Sequence, residues 1–180
     1  MNAQSWSGKP LKILDLGSGP GTGVIGSCLF FGDKNIPLEI TAMDQNRSIL
    51  QEAEMLHEKL VHRLSLHSQL KTRVIDFERE PISRVLKGAS FDLILLVNTL
   101  NEIRFDKRVR LIEQLLRGSL TSGGKILIVE PALQRTTREL MELHDHLLEG
   151  KTAKVLAPCL HQHSCPMLRE GQRDWCHTYL

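Results

Sequence analysis

No run of apolar residues in this 180-residue chain approaches the roughly 20 needed to cross a bilayer, so no membrane-spanning segment is expected. Residues 1–10 carry neither a basic start nor an apolar stretch of signal type, which points to a cytoplasmic protein. Charge of one sign is also lacking. The 23 basic and 21 acidic residues leave a net charge of +2, so no global field demands nucleic acid, and any such contact has to come from a local patch. Arg104, Lys107, Arg108 and Arg110 form one candidate patch, and a solvated helix face explains the same residues. A standard Cys-x-x-Cys knuckle is absent as well.

What is present fits one globular domain. Hydrophobic residues make up 41% and charged residues 24%, over a length sufficient for a sizeable core. The chain is organised around residues 11–23, where an apolar run breaks into Gly17, Gly19, Gly21 and Gly23 and then resumes as a helix-forming stretch containing Cys28, expected in the core. Glycine allows positive φ and close ligand approach, and the amides opening the next helix face that ligand as donors. A dinucleotide reading, Gly21-x-Gly23-x-x-Gly26, would run the preceding strand through Gly17, Gly19 and Pro20, which strands exclude. Ending the strand at Leu16 instead yields Asp15-x-Gly17-x-Gly19-x-Gly21. That pattern resembles motif I of Rossmann-like S-adenosylmethionine-dependent methyltransferases, which implies a turn beside the methionine moiety, with Asp15, Gly17, Ser18, Gly19 and Gly21 as cofactor-binding residues.

Further strands are expected over residues 38–43, 70–75, 91–98 and 125–131, alternating with helices, which specifies a doubly wound α/β sheet. The fourth, a continuous apolar run, reads as buried on both faces and should lie beside the first. Asp44, with Gln45 beside it, ends the second strand and suits the ribose hydroxyls, while an N-cap role is the alternative and fits Asn46 better. The following helix is expected to bury Ile49, Ala53, Leu56 and Leu60 and to leave His57 and His62 at the surface. Asp76 and Phe77 follow the third strand as candidates for the adenine amino group and ring, with core packing the alternative for Phe77. A helix burying Phe105, Val109, Ile112 and Leu116 precedes the fifth strand, and a last one spans residues 136–148, ended by Gly150.

Asn98, Thr99, Asn101 and Glu102 stand at the tip of the fourth strand, where a transferable methyl group would emerge. Asn98 would contact the cofactor and position the acceptor, and Glu102 would take its proton; helix capping explains the same residues. They do not spell the Asn-Pro-Pro-Tyr tetrapeptide of many amino-directed nucleic-acid methyltransferases, which speaks against base methylation.

The chain divides into a cofactor-binding region, residues 1–150, and a Cys/His-rich extension, residues 151–180. Cys159, Cys165 and Cys176, with His161, His163 and His177, crowd into nineteen residues. Without an export signal such a cluster reads as a metal or redox site rather than a disulfide framework. The thiolates would hold zinc together with His161 or His177, or three corners of an iron-sulfur cluster; unrelated thiols remain the alternative.

Taken together, the Asp15–Gly21 turn, Leu100-Asn101-Glu102, Pro158-Cys159-x-His161-x-x-x-Cys165-Pro166 and Asp174-Trp175-Cys176-His177 resemble the mitochondrial small-ribosomal-subunit methyltransferase-like family and its bacterial relatives. The resemblance covers essentially the whole chain. It implies a class I methyltransferase fold, S-adenosylmethionine as cofactor, association with the small ribosomal subunit or its RNA, and cluster ligands at Cys159, Cys165 and Cys176. The chain departs from the family by starting its first strand about ten residues in and by stopping before a fourth cysteine ligand of the cluster. It is expected to lack the last strand or strands of the sheet, so that the fifth strand is an open edge, available to a second copy, or pairs with residues 155–157. Three readings follow: a methyltransferase of the small subunit, a non-catalytic assembly factor that keeps the cofactor pocket, and a small-molecule methyltransferase.

Overall fold

The computed structural model describes residues 8–77, 79–171 and 173–176. Five strands, β1 (Leu11–Leu16), β2 (Leu38–Asp44), β3 (Ser68–Val74), β4 (Phe91–Val97) and β5 (Leu120–Val129), form one sheet in the order β3-β2-β1-β4-β5. Every pairing is parallel. Helices α1 (Thr22–Gly32), α2 (Arg47–Leu64), α3 (Ile82–Val85), α4 (Phe105–Gly118), α5 (Gln134–Glu149) and α6 (Pro166–Glu170) connect and flank it, and a 3₁₀ turn occupies Leu100–Glu102. This is the expected doubly wound arrangement. The chain reverses direction across the sheet between β1 and β4, and a crevice opens at such a point beyond the carboxyl ends of the strands.

Strand alternation divides the core. Leu14, Leu16, Ile94 and Leu96 join Ile112, Leu115 and Leu143 on one face, while Ile13, Ile40, Leu93 and Leu95 meet Val24, Cys28 and Leu50 on the other. Each central strand thus supplies apolar side chains to both sides, and its continuous apolar run follows from that double burial. Cys28 is buried as expected.

Two helical faces differ from expectation. In α2 the buried residues are Leu50, Ala53 and His57, whereas Leu56 is exposed. His57 leaves the surface because its Nε2 meets Ser68 Oγ at 2.8 Å, and burial pushes its pKa down toward the neutral ring. His62 is exposed as expected. In α4, Leu111, Ile112 and Leu115 are buried, with Phe105, Val109 and Leu116 only partly so. Arg108 shares that inner face. Its Nε donates to Ile103 O and its Nη1 pairs with Glu139 Oε2 of α5 at 2.7 Å. The basic cluster is therefore neither a continuous patch nor a wholly solvated face, since Arg108 points inward and Arg104 pairs with Asp106.

β5 begins earlier than expected, at Leu120, and passes a register irregularity opposite Phe91 and Leu93 before running straight alongside β4. Among the described residues no strand covers its far side, which matches the expected open edge, and Leu127 and Val129 are about half exposed. Residues 155–157 do not pair there. The Gln162 side chain engages both N and O of Val155 in a local loop instead. No described helix is long and apolar enough to cross a membrane.

Candidate functional site

The glycine turn hooks over the end of β2. Gly17 N and Ser18 N both donate to Met43 O, at 2.8 and 3.0 Å, and Gly21 N closes the turn on Ser18 O. Gly17 and Gly19 have φ of +66° and +51°, the left-handed region where a side chain is costly. A Cβ on Gly17 would lie 2.6 Å from Thr99 Oγ1 and Cγ2, so glycine lets β4's tip approach here. A Cβ on Gly19 would meet nothing within 4 Å and so would stand in open space. Gly21, also left-handed, is the residue from which α1 starts.

Asp44 faces this turn rather than capping α2. Its Oδ2 accepts from Gly19 N at 3.0 Å and its Oδ1 from Asn46 N, while Asn46 itself caps the helix through Ser48 N and Ile49 N. Gln45 beside it is exposed. Asp15 lies beneath the turn at 1% exposure, and both of its carboxyl oxygens lack a hydrogen-bond partner. Burial pushes its pKa up to about 7. The nearby Val24 N–H opposes this without reaching hydrogen-bond geometry, and the charge of Asp44 adds to it. A proton on Asp15, or a cation in the crevice, relieves an orphaned buried carboxylate.

Asp76 follows β3 at the same end of the sheet and pairs with Arg79 at 3.2 Å; Phe77 packs partly buried against the core. At β4's tip, Asn98 is exposed with φ +55°, its N–H on Val129 O. Thr99 is buried and its hydroxyl donates to Leu16 O at 2.8 Å. Glu102 is exposed at the far end of the 3₁₀ turn. The structure therefore gathers Asp15, Gly17, Ser18, Gly19, Asp44, Asn98 and Thr99 at one edge, with Glu102 turned to solvent.

Glu130 is a site residue that sequence reasoning missed. Its Oε1 accepts from Thr99 N and Leu100 N, at 3.0 and 2.7 Å, and its Oε2 from Asn101 N at 3.2 Å. The available signal was positional: Asp15, Asp44, Asp76 and Glu130 each stand at or just beyond the end of a strand.

The cysteine segment packs along α5. Cys165 is buried and its N–H donates to Asp145 Oδ1 at 2.7 Å, the same oxygen that meets His144 Nδ1 at 2.8 Å. Arg138 donates to the carbonyls of Gly171 and Asp174, and Trp175 Nε1 to Ala132 O. Cys159, Cys165 and Cys176 are free thiols, and Cys159 is pushed up by burial and by the charges of Cys165, Cys176 and Asp145. His161 meets the His144 ring edge-on and stacks on His163. The thiols are neighbours, but among the described residues no three Cys, His, Asp or Glu side chains stand close enough to hold a metal ion. As placed, the cluster does not fit a bound ion; His177 lies outside the described residues.

The family profile described as mitochondrial small ribosomal subunit Rsm22 matches residues 3–179. No curated protein matches the chain. Among solved structures, a S-adenosylmethionine-dependent methyltransferase of Methanosarcina mazei is similar with a TM-score of 0.50 at 20% identity, over 66% of this chain and 51% of that one. The CMeT domain of the citrinin polyketide synthase aligns with a TM-score of 0.51 at 23% identity, over 69% and 30%. The DszA carbon methyltransferase aligns with a TM-score of 0.52 at 18% identity, over 82% and 34%. The chain thus spans about half or less of the structures it matches, and at these identities the likeness establishes the Rossmann-like methyltransferase fold.

Proposed function

The chain belongs to the mitochondrial small ribosomal subunit Rsm22 family, and from that premise we propose that it is a S-adenosylmethionine-dependent methyltransferase acting at the small ribosomal subunit or its RNA. The observation that carries the cofactor reading is the cradle at β1 and β2, where a Cβ on Gly19 would stand in open space and Asp44 lies within 3.0 Å of its amide. The residues that would hold the cofactor are Asp15, Gly17, Ser18, Gly19 and Gly21 of the turn, Asp44 and Gln45 at β2, Asp76 and Phe77 beyond β3, and Asn98.

Bound S-adenosylmethionine supplies a methyl group on a sulfonium, already a good leaving group. The protein's part is to exclude water and hold the acceptor in line, and that positioning supplies much of the rate. Asn98, left-handed and exposed at the tip of β4, would orient the acceptor, and its position at the switch between β1 and β4 supports that reading. Glu102, exposed beyond the turn, would serve as base only for an acceptor that reaches out to it.

That exposure favours a second reading, a ribosome assembly factor that keeps the cofactor cradle without turnover. Incubating purified small-subunit particles with the chain and radiolabelled S-adenosylmethionine separates the two. Label incorporation that Asp44→Ala abolishes supports the enzyme, and cofactor binding with particle association but no incorporation supports the assembly factor.

Two finer assignments belong to the same proposal. A thiophilic metal or iron-sulfur cluster at Cys159, Cys165 and Cys176 requires a fourth donor and closure of the segment, and iron and zinc analysis of anaerobically purified protein tests it. Pairing of two copies through the open β5 edge is tested by sedimentation.

A further inference from the structure

We propose that Glu130 is the positioning residue of the acceptor side, acting through the turn at residues 99–101; this rests on the methyltransferase reading. A turn of this kind begins with backbone N–H groups that lack intrahelical partners, and the residue before it ordinarily caps them. Thr99 occupies that place and makes no side-chain cap, because its hydroxyl donates to Leu16 O. Glu130, from the end of the neighbouring strand, supplies the cap instead and engages the amides of Thr99, Leu100 and Asn101.

The consequence reaches three strand tips. With its N–H held by Glu130, Thr99 can turn its hydroxyl to β1 directly beneath Gly17, where a Cβ has no room. Asn98 N is held on Val129 O at 2.8 Å, so the residue between two pinned positions adopts φ +55° with its side chain exposed at the crevice. Asparagine enters the left-handed region more readily than most residues, and what keeps this one there is the pinning on either side. Three amide donors on one carboxylate are a sufficient reason, since hydrogen bonds to a charged group are the strong ones. Glu130 touches neither the glycine turn nor Asp44 through any of these bonds. Its effect therefore falls first on acceptor geometry and reaches the cofactor side only indirectly, through Asn98 and Thr99.

Glu130→Gln keeps shape and volume but turns a donor toward amides that are themselves donors. With small-subunit particles as acceptor, methyl transfer at saturating cofactor is expected to fall about tenfold or more, the equivalent of one charge-assisted hydrogen bond. KM for S-adenosylmethionine should change much less than the rate, staying within about twofold of the parent's, since Gly19 and Asp44 make no bond to Glu130 or to the amides it holds. Amide exchange at residues 99–101 is expected to quicken while α2 keeps its protection, and Glu130→Ala should show the same pattern more strongly. Parent-like transfer and exchange in Glu130→Gln would overturn the proposal, as would a loss of cofactor binding parallel to the loss of rate. If the parent itself transfers no methyl group, the reaction is what fails. Exchange at the three amides then decides on Glu130, and unchanged exchange overturns its role.

Discussion

Gly17 and Gly19 sit two residues apart in the same turn, yet alanine at each should fail in a different way. At Gly17, alanine meets the left-handed cost of about 1 kcal/mol. It also meets Thr99, 2.6 Å from the new Cβ. Relief requires Thr99 to swing away from Leu16 O, and a buried carbonyl without its partner costs about 1–3 kcal/mol. Gly17→Ala should therefore lose about 2–4 kcal/mol, a melting shift of roughly 5–15 °C for a chain of this size. At Gly19 the new Cβ meets nothing, so only the backbone cost of about 1 kcal/mol applies and the shift is a few degrees. On the proposed cofactor site, however, that Cβ would stand in the space the ligand needs. Thermal melts paired with calorimetric titration of S-adenosylmethionine separate the effects: Gly17→Ala is the less stable, and Gly19→Ala folds but does not bind. Equal melting temperatures, or parent-like affinity in Gly19→Ala, would refute the reasoning.

The Asp15 carboxyl, pushed up from 3.8 to about 7, keeps its proton in the folded chain where the unfolded chain has released it. Stability attributable to it should thus fall as pH rises from 3.8 to 7, by about 1.4 kcal/mol per unit. Asp15→Asn removes that slope, so urea melts should show the variant gaining on the parent through this window; a constant difference would speak against a buried, protonated Asp15. Arg108→Ala breaks the pair with Glu139 and leaves Ile103 O without its donor, and should cost about 3 kcal/mol with a melting decrease of roughly 6–12 °C. A change of less than about 1 kcal/mol would return Arg108 to the solvated face.

Local signals made the sheet legible. A strand buried on both faces leaves a nearly continuous apolar run, as in β4, a glycine marks where β1 stops and Pro37 stands before β2, so all three fell close to their observed bounds. Asp44 could be distinguished from Asn46 because the acid ends the strand and the amide begins the helix. What stayed hidden depends on partners distant in sequence. His57 is buried by a hydroxyl on β3, and Arg108 by a carboxylate on α5, and neither partner can be inferred from helical spacing. Glu130 acts on amides some thirty residues earlier, across a strand pairing that had first to be known. The thiols were recognisable as a cluster, but their packing hangs on Asp145, twenty residues before Cys165.

The cofactor cradle at β1 and β2 is tested most directly by calorimetric titration of the purified chain with S-adenosylmethionine, repeated with NAD and with Asp44→Ala. Saturable binding is expected that NAD does not reproduce and that the substitution weakens about tenfold or more, the effect of losing hydrogen bonds to a charged acceptor. No binding by the parent, or equal binding by Asp44→Ala, would contradict a cofactor site built on Gly19 and Asp44.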